Sequence, residues 1–221
     1  MILPSVELET APDPRHSVIW LHGLGADGHD FEPIVPELVS RQWPALRFVF
    51  PHAPVRPVTI NGGMPMRAWY DIGGVDIASK QDEPGIRTSI GQLDALIARE
   101  AERGVPAERV ILAGFSQGGA VVLAGGVRHA ARLGGIMALS TYLPLAEKTA
   151  ADRHDANKAV PILMAHGSFD NVVPQTLGTA SRDYLRGLGY AVQWHTYPMA
   201  HQVCSEEIAD LRQWLGARLA A

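Results

Sequence analysis

Residues 110–119 read VILAGFSQGG, and the architecture can be built from this stretch. Val110 to Phe115 is a continuous apolar run, as expected for a strand covered on both faces. Gly114-Phe115-Ser116-Gln117-Gly118 then matches G-x-S-x-G, and the following GGAVVLAGGVRHA can form a helix. A tight strand-to-helix turn lifts a serine hydroxyl clear of the sheet, where a base and a carbonyl can reach it. Side chains flanking such a turn would collide, so both glycine positions must be small. The helix N-terminus offers free N–H groups to developing negative charge. A glycine-rich turn that merely joins two elements would give the same five letters, so the rest of the chain has to supply partners.

On either side, short apolar runs alternate with amphipathic stretches. Ser17–Leu21, Leu46–Phe50, Gly135–Leu139, Val160–Ala165 and Ala191–Tyr197 read as further strands. Ile86, Ile90, Leu93, Ile97 and Ala101 share one helical face that Gly104 ends, and Ile208, Leu211, Leu215 and Leu219 make a second stripe. Ser205 is the expected N-cap of that last helix, with Glu206 and Glu207 suited to its positive end. This alternation predicts an α/β fold, a mostly parallel central sheet with helices on both faces. At 221 residues without a composition break, residues 1–221 are expected to form a single domain. Only residues 51–84 break the rhythm. This long segment is either a surface excursion or a flap over an active site, lined by Trp69, Tyr70, Ile72 and Val75.

Partners for Ser116 follow in the order that the α/β-hydrolase fold uses, serine then acid then histidine. Asp170 lies just after the strand ending at Ala165, and His201 just after the strand ending at Tyr197. Both therefore fall at carboxyl ends of strands, where open α/β sheets place ligands. His195 lies inside a strand, and His166 at a strand end reads as a structural hydrogen bond. Asp152 and Asp155 sit in a polar stretch read as solvated loop, and Asp183 and Asp210 in helices. The expected catalytic set is Ser116, Asp170 and His201. Fixed N–H donors for a tetrahedral oxyanion are expected at Gln117 and at Leu24, in the loop LHGLGADG after the strand Ser17–Leu21.

Bulk composition excludes several alternatives. Hydrophobic residues make up 47% and charged residues 19%, with a formal net charge of −4, as in an ordinary soluble globular protein. No Lys/Arg-rich block suggests nucleic acid. No run approaches a membrane span, and the N-terminus shows no signal peptide, so the expected location is the cytoplasm. His22, Asp27, His29 and Asp30 match no zinc spacing, so no metal is expected, and no cofactor. Cys204, the single cysteine, reads as an inert small hydrophobe.

Taken together, LHGLGADG, RAWYDI, GFSQGG, HGSFDNVVP and the late His201 resemble the phospholipase/carboxylesterase family, which includes acyl-protein thioesterases and small bacterial carboxylesterases. The resemblance runs from about Pro14 to about Leu215. It implies a compact α/β-hydrolase with no large cap domain, often a homodimer. It also implies hydrolysis of short- to medium-chain carboxylic esters through an acyl-enzyme. Thioesterase or lysophospholipase action on longer acyl chains is the alternative, and a non-catalytic ligand-binding module on the same scaffold is a third reading. Residue by residue it carries over Ser116, Asp170, His201, Leu24 and Gln117, and sets Trp69, Tyr70 and Asp71 beside the acyl pocket. One departure is Ala200, where many relatives have glycine.

Overall fold

The computed structural model describes residues 2–74 and 81–219. Nine strands are described: β1 Ser5–Glu9, β2 His16–Leu21, β3 Leu46–Pro51, β4 Val55–Val58, β5 Met64–Arg67, β6 Val110–Phe115, β7 Gly135–Leu139, β8 Ile162–Gly167 and β9 Val192–Tyr197. The α-helices are α1 Val35–Leu38, α2 Glu83–Glu102, α3 Gln117–Arg128, α4 Ala146–Asp152, α5 Gln175–Gly187 and α6 Ser205–Leu219. Seven strands form one sheet in the order β1-β3-β2-β6-β7-β8-β9, parallel throughout except for β1. This is the α/β-hydrolase fold.

Successive residues of a strand point to opposite faces, and here both faces are covered. Ile19 and Leu21 join Leu112, Ile86, Leu93 and Val121 beneath α2 and α3. Their neighbours Val18 and Trp20 join Ile111, Leu38, Leu211 and Leu215 beneath α1 and α6. Polar residues on either face would be buried, which is why these strands read as unbroken apolar runs.

Differences from the sequence reading have local causes. β1, SVELE, is an antiparallel edge strand with one face to solvent, so it lacks a continuous apolar signal. β8 begins two residues later than the apolar run because Pro161 has no N–H for the ladder. α6 starts at Ser205, and the Ile208 N–H donates to the Cys204 carbonyl, so the cap is Cys204 rather than Ser205. Asp152 is not in a solvated loop: it ends α4 and pairs with Arg87 and Arg128. Within residues 51–84, β4 and β5 form a two-stranded hairpin in which Pro57 faces Pro65, turned through Gly62 and Gly63 at positive φ. Two prolines hid this hairpin from a strand search. The Gly25 N–H donates to the Arg67 carbonyl at 2.9 Å, which ties the hairpin to the loop after β2.

Candidate active site

Ser116 sits between β6 and α3 with φ 55° and ψ −120°, a conformation costly for any residue with a Cβ. The surroundings enforce it. The Ser116 N–H donates to the Leu139 carbonyl at 2.9 Å, and its own carbonyl accepts from the Ala120 N–H at 3.0 Å and from Thr141 Oγ1 at 2.7 Å. The flanking glycines answer to close approach. A Cβ on Gly114 would lie 2.6 Å from the Gly118 backbone, and one on Gly118 would lie 2.3 Å from the Leu21 carbonyl oxygen.

His201 bridges the other two side chains. Its Nε2 lies 2.9 Å from Ser116 Oγ and its Nδ1 lies 2.7 Å from Asp170 Oδ2. The loops carrying Asp170 and His201 are sewn together. The Ser168 and Phe169 N–H groups donate to the Tyr197 and Met199 carbonyls at 2.9 and 3.0 Å. A Cβ on Gly167 would meet the Met199 and Ala200 carbonyls at 2.4 Å, so only glycine lets the loops touch. Ala200 is exposed and has no positive φ, so its methyl is accommodated without backbone strain.

Asp170 is buried, and its charge is met by donors rather than by a cation. Oδ1 accepts from the Val172 and Val173 N–H groups at 2.9 and 2.8 Å, which leaves Oδ2 for His201. Behind it, fully buried His166 donates from Nε2 to the Val173 carbonyl at 2.8 Å, and burial holds its imidazole below the usual histidine range. That is the loop-supporting role expected for it. His195 pairs with Asp210 of α6 at 3.1 Å.

Leu24 and Gln117 follow β2 and Ser116. Among the described residues neither N–H has a hydrogen-bond acceptor, so both remain available. A Cβ on Gly23 would lie 3.4 Å from Ser116 Cβ, which places the Leu24 loop beside Ser116. Buried His22 sets this loop. Its Nε2 accepts from the Ala53 N–H at 3.1 Å, so Nδ1 carries the proton and donates to the Gly23 carbonyl at 2.7 Å. Burial keeps the ring neutral by lowering its pKa.

Trp69 and Tyr70 do not line open space; they are 1% and 2% exposed. The flap reading set them over the site because residues 51–84 form a long segment with little periodicity. In the folded chain they lie in the core below the serine turn. The Gln117 side chain clamps them, accepting from the Trp69 N–H and donating to the Tyr70 carbonyl, each at 2.8 Å. Trp69 Nε1 donates to the His22 carbonyl at 2.9 Å, and the Tyr70 and Tyr142 hydroxyls meet at 2.9 Å. The two N–H-bearing loops are thus joined through one network. Only its LHG and Gln117 letters stood near a motif; the side-chain roles of His22, Gln117 and Thr141 had no sequence signal. Ile72 is half-buried and bridges Gln81, and Val75 lies outside the described residues. Phe169 and Val172, each 64% exposed, flank Asp170 and were not anticipated.

Among the described residues no group of three or more His, Cys, Asp or Glu is placed to hold a metal ion. His22 is spent on backbone, and His29 pairs with Glu32. No described helix is long and apolar enough to cross a membrane.

Residues 5–219 match the family model described as phospholipase/carboxylesterase. Acyl-protein thioesterase 1 of Neurospora crassa is 42% identical, over 99% of this chain and 91% of that protein. Acyl-protein thioesterase 1 of Yarrowia lipolytica is 38% identical, over 96% of each. Among solved structures, Arabidopsis thaliana SOBER1 superposes with a TM-score of 0.88 at 32% identity, covering 93% of this chain and 99% of that one. Zea mays acyl-protein thioesterase 2 gives 0.83 at 26% identity, covering 98% and 100%.

Proposed function

The chain belongs to the phospholipase/carboxylesterase family and is a carboxylic ester hydrolase of the serine type, and we propose that Ser116, His201 and Asp170 perform its chemistry as a single-domain carboxylesterase. His201 Nε2 takes the Ser116 proton as Oγ attacks the acyl carbonyl. Asp170 holds the Nδ1–H tautomer and stabilises the imidazolium. The oxyanion accepts from the Leu24 and Gln117 N–H groups, which fixed donors make worth about 3–4 kcal/mol each. His201 then protonates the leaving alcohol, and water releases the acyl group by the same path.

The observation that carries this reading is the single imidazole within hydrogen-bond reach of both Ser116 Oγ and Asp170 Oδ2. Ser116→Ala should abolish p-nitrophenyl ester turnover while melting at the temperature of the parent chain. Retained turnover would refute the assignment.

Short- to medium-chain esters remain the first proposed substrates. A second reading, thioester cleavage on longer acyl chains, is favoured by relatives named acyl-protein thioesterase 1. A series of oxygen esters and thioesters from C2 to C16 separates them. A sharp optimum below C8 ends the long-chain reading. The homodimer rests on the family resemblance; a monomer mass in sedimentation velocity would remove it.

A further inference from the structure

The amino ends of the parallel strands form a second concave surface, on the sheet edge opposite Ser116. A cavity of about 450 Å³ opens there. It is bounded by His16 at the start of β2, Arg109 before β6, Arg132 before β7 and Arg218 in the last turn of α6. That volume is in the range of small-ligand sites, roughly 300–1,000 Å³.

Its charge is unbalanced. Five arginines elsewhere, Arg47, Arg87, Arg99, Arg103 and Arg128, each reach a carboxylate within 3.4 Å. Among the described residues, Arg109, Arg132 and Arg218 reach none within 4.0 Å, although Glu108 borders the same cavity. Three guanidiniums against one carboxylate leave a local excess of positive charge in a chain whose net charge is −4. Like charges gathered without counter-charges repel one another, and they gain most from a ligand bearing more than one negative charge.

Two buried polar atoms point the same way. His16 Nδ1 and Arg218 Nε have no hydrogen-bond partner among the described residues. Arg218 is oriented by packing instead, with its guanidinium carbon 5.4 Å over the Trp214 ring. Burial holds the His16 imidazole below the usual histidine range, and the neighbouring charge of Arg109 adds to the effect.

We propose that this cavity is a binding site for a phosphate group, held by Arg109, Arg132 and Arg218 with His16 beside them. Guanidinium forks match the tetrahedral oxygens of phosphate, and several converging on one group add specificity. The site is independent of the serine chemistry on the other edge.

The test follows the His16 ring protons by NMR in the full chain during titration with inorganic phosphate, against chloride at matched ionic strength. A saturable shift is expected with phosphate alone, together with a rise in the His16 pKa, because a bound dianion favours the imidazolium. Arg109→Gln/Arg132→Gln, both exposed positions, should weaken the phosphate response by about tenfold or more while leaving p-nitrophenyl acetate turnover unchanged. Sedimentation with phosphatidate vesicles but not with phosphatidylcholine vesicles, lost in the double variant, would assign the phosphate to a lipid headgroup. A phosphate response without sedimentation would assign it to a soluble ligand. An equal response to chloride, an unaltered response in the double variant, or no saturable response to phosphate or phosphatidate overturns the site.

Discussion

At the carboxyl edge of the sheet, Asp170 is buried among neutral donors: two backbone N–H groups and one imidazole. At the amino edge, Glu100 is buried among cations. Arg47 donates to its Oε2 at 2.8 Å and Arg103 to its Oε1 at 2.9 Å, and Ser17 also donates to it. The first carboxylate keeps one oxygen for a ring that, in the proposed mechanism, gains a proton. The second is neutralised outright and ties α2 to β2 and β3. Burial alone therefore does not single out the acid proposed for catalysis; its partners do. A third buried carboxylate, Glu207 in the first turn of α6, has neither arrangement. Burial pushes it up to about 8, with the Cys204 backbone N–H opposing and Asp210 adding to the rise.

Substitution at each of the three should separate catalysis from stability, and the largest effect belongs to the proposed catalytic edge. Asp170→Asn should lower kcat for p-nitrophenyl acetate by about 10⁴-fold, because the amide favours the wrong imidazole tautomer. Its melting temperature should change little, since the backbone donors keep an oxygen acceptor. An Asn variant with near-parental kcat would erase the distinction between the two edges. Glu100→Gln should do the reverse. It leaves Arg47 buried without its main counter-charge and should cost about 3 kcal/mol of unfolding free energy in urea. Turnover per folded molecule should hold, and a loss of kcat at full stability would show that the amino edge reaches the site.

Glu207 gives the smallest effect and tests the pH dependence. Its native pKa of about 8 exceeds the ordinary 4.5, so the native chain holds a proton that the unfolded chain releases between those values. The stability contributed by this group is complete below about pH 4.5 and is lost as pH rises through about 8. Glu207→Gln should flatten that slope and gain stability over the parent chain at pH 8.5 relative to pH 5. Parallel stability–pH curves for the two proteins would place the Glu207 charge in solvent.

The parallel strands and the serine turn were legible because their signals are local. A strand covered on both faces must be apolar at every position, as Val110 to Ala113 and Val18 to Leu21 are. A turn as tight as that at Ser116 excludes side chains at Gly114 and Gly118. β1, β4 and β5 were not legible, since half-exposed and proline-bearing strands carry no such requirement. Trp69 and Tyr70 fall in the long segment read as an excursion or a flap, yet they are core residues. Their hydrogen-bond partners, His22, Gln117 and Tyr142, lie 47, 47 and 72 positions away.

Residue order and motif spacing were thus enough for the parallel strands, the serine turn and the succession of acid and histidine after it, because each reflects steric demands on neighbouring residues. Folding in three dimensions was needed to bring His201 across 85 positions to Ser116, to join His22, Trp69 and Gln117 into one network, and to gather three arginines at the opposite edge. Hydrogen bonds and charges act over a few ångströms of space, and separation along the chain does not say which groups will share it.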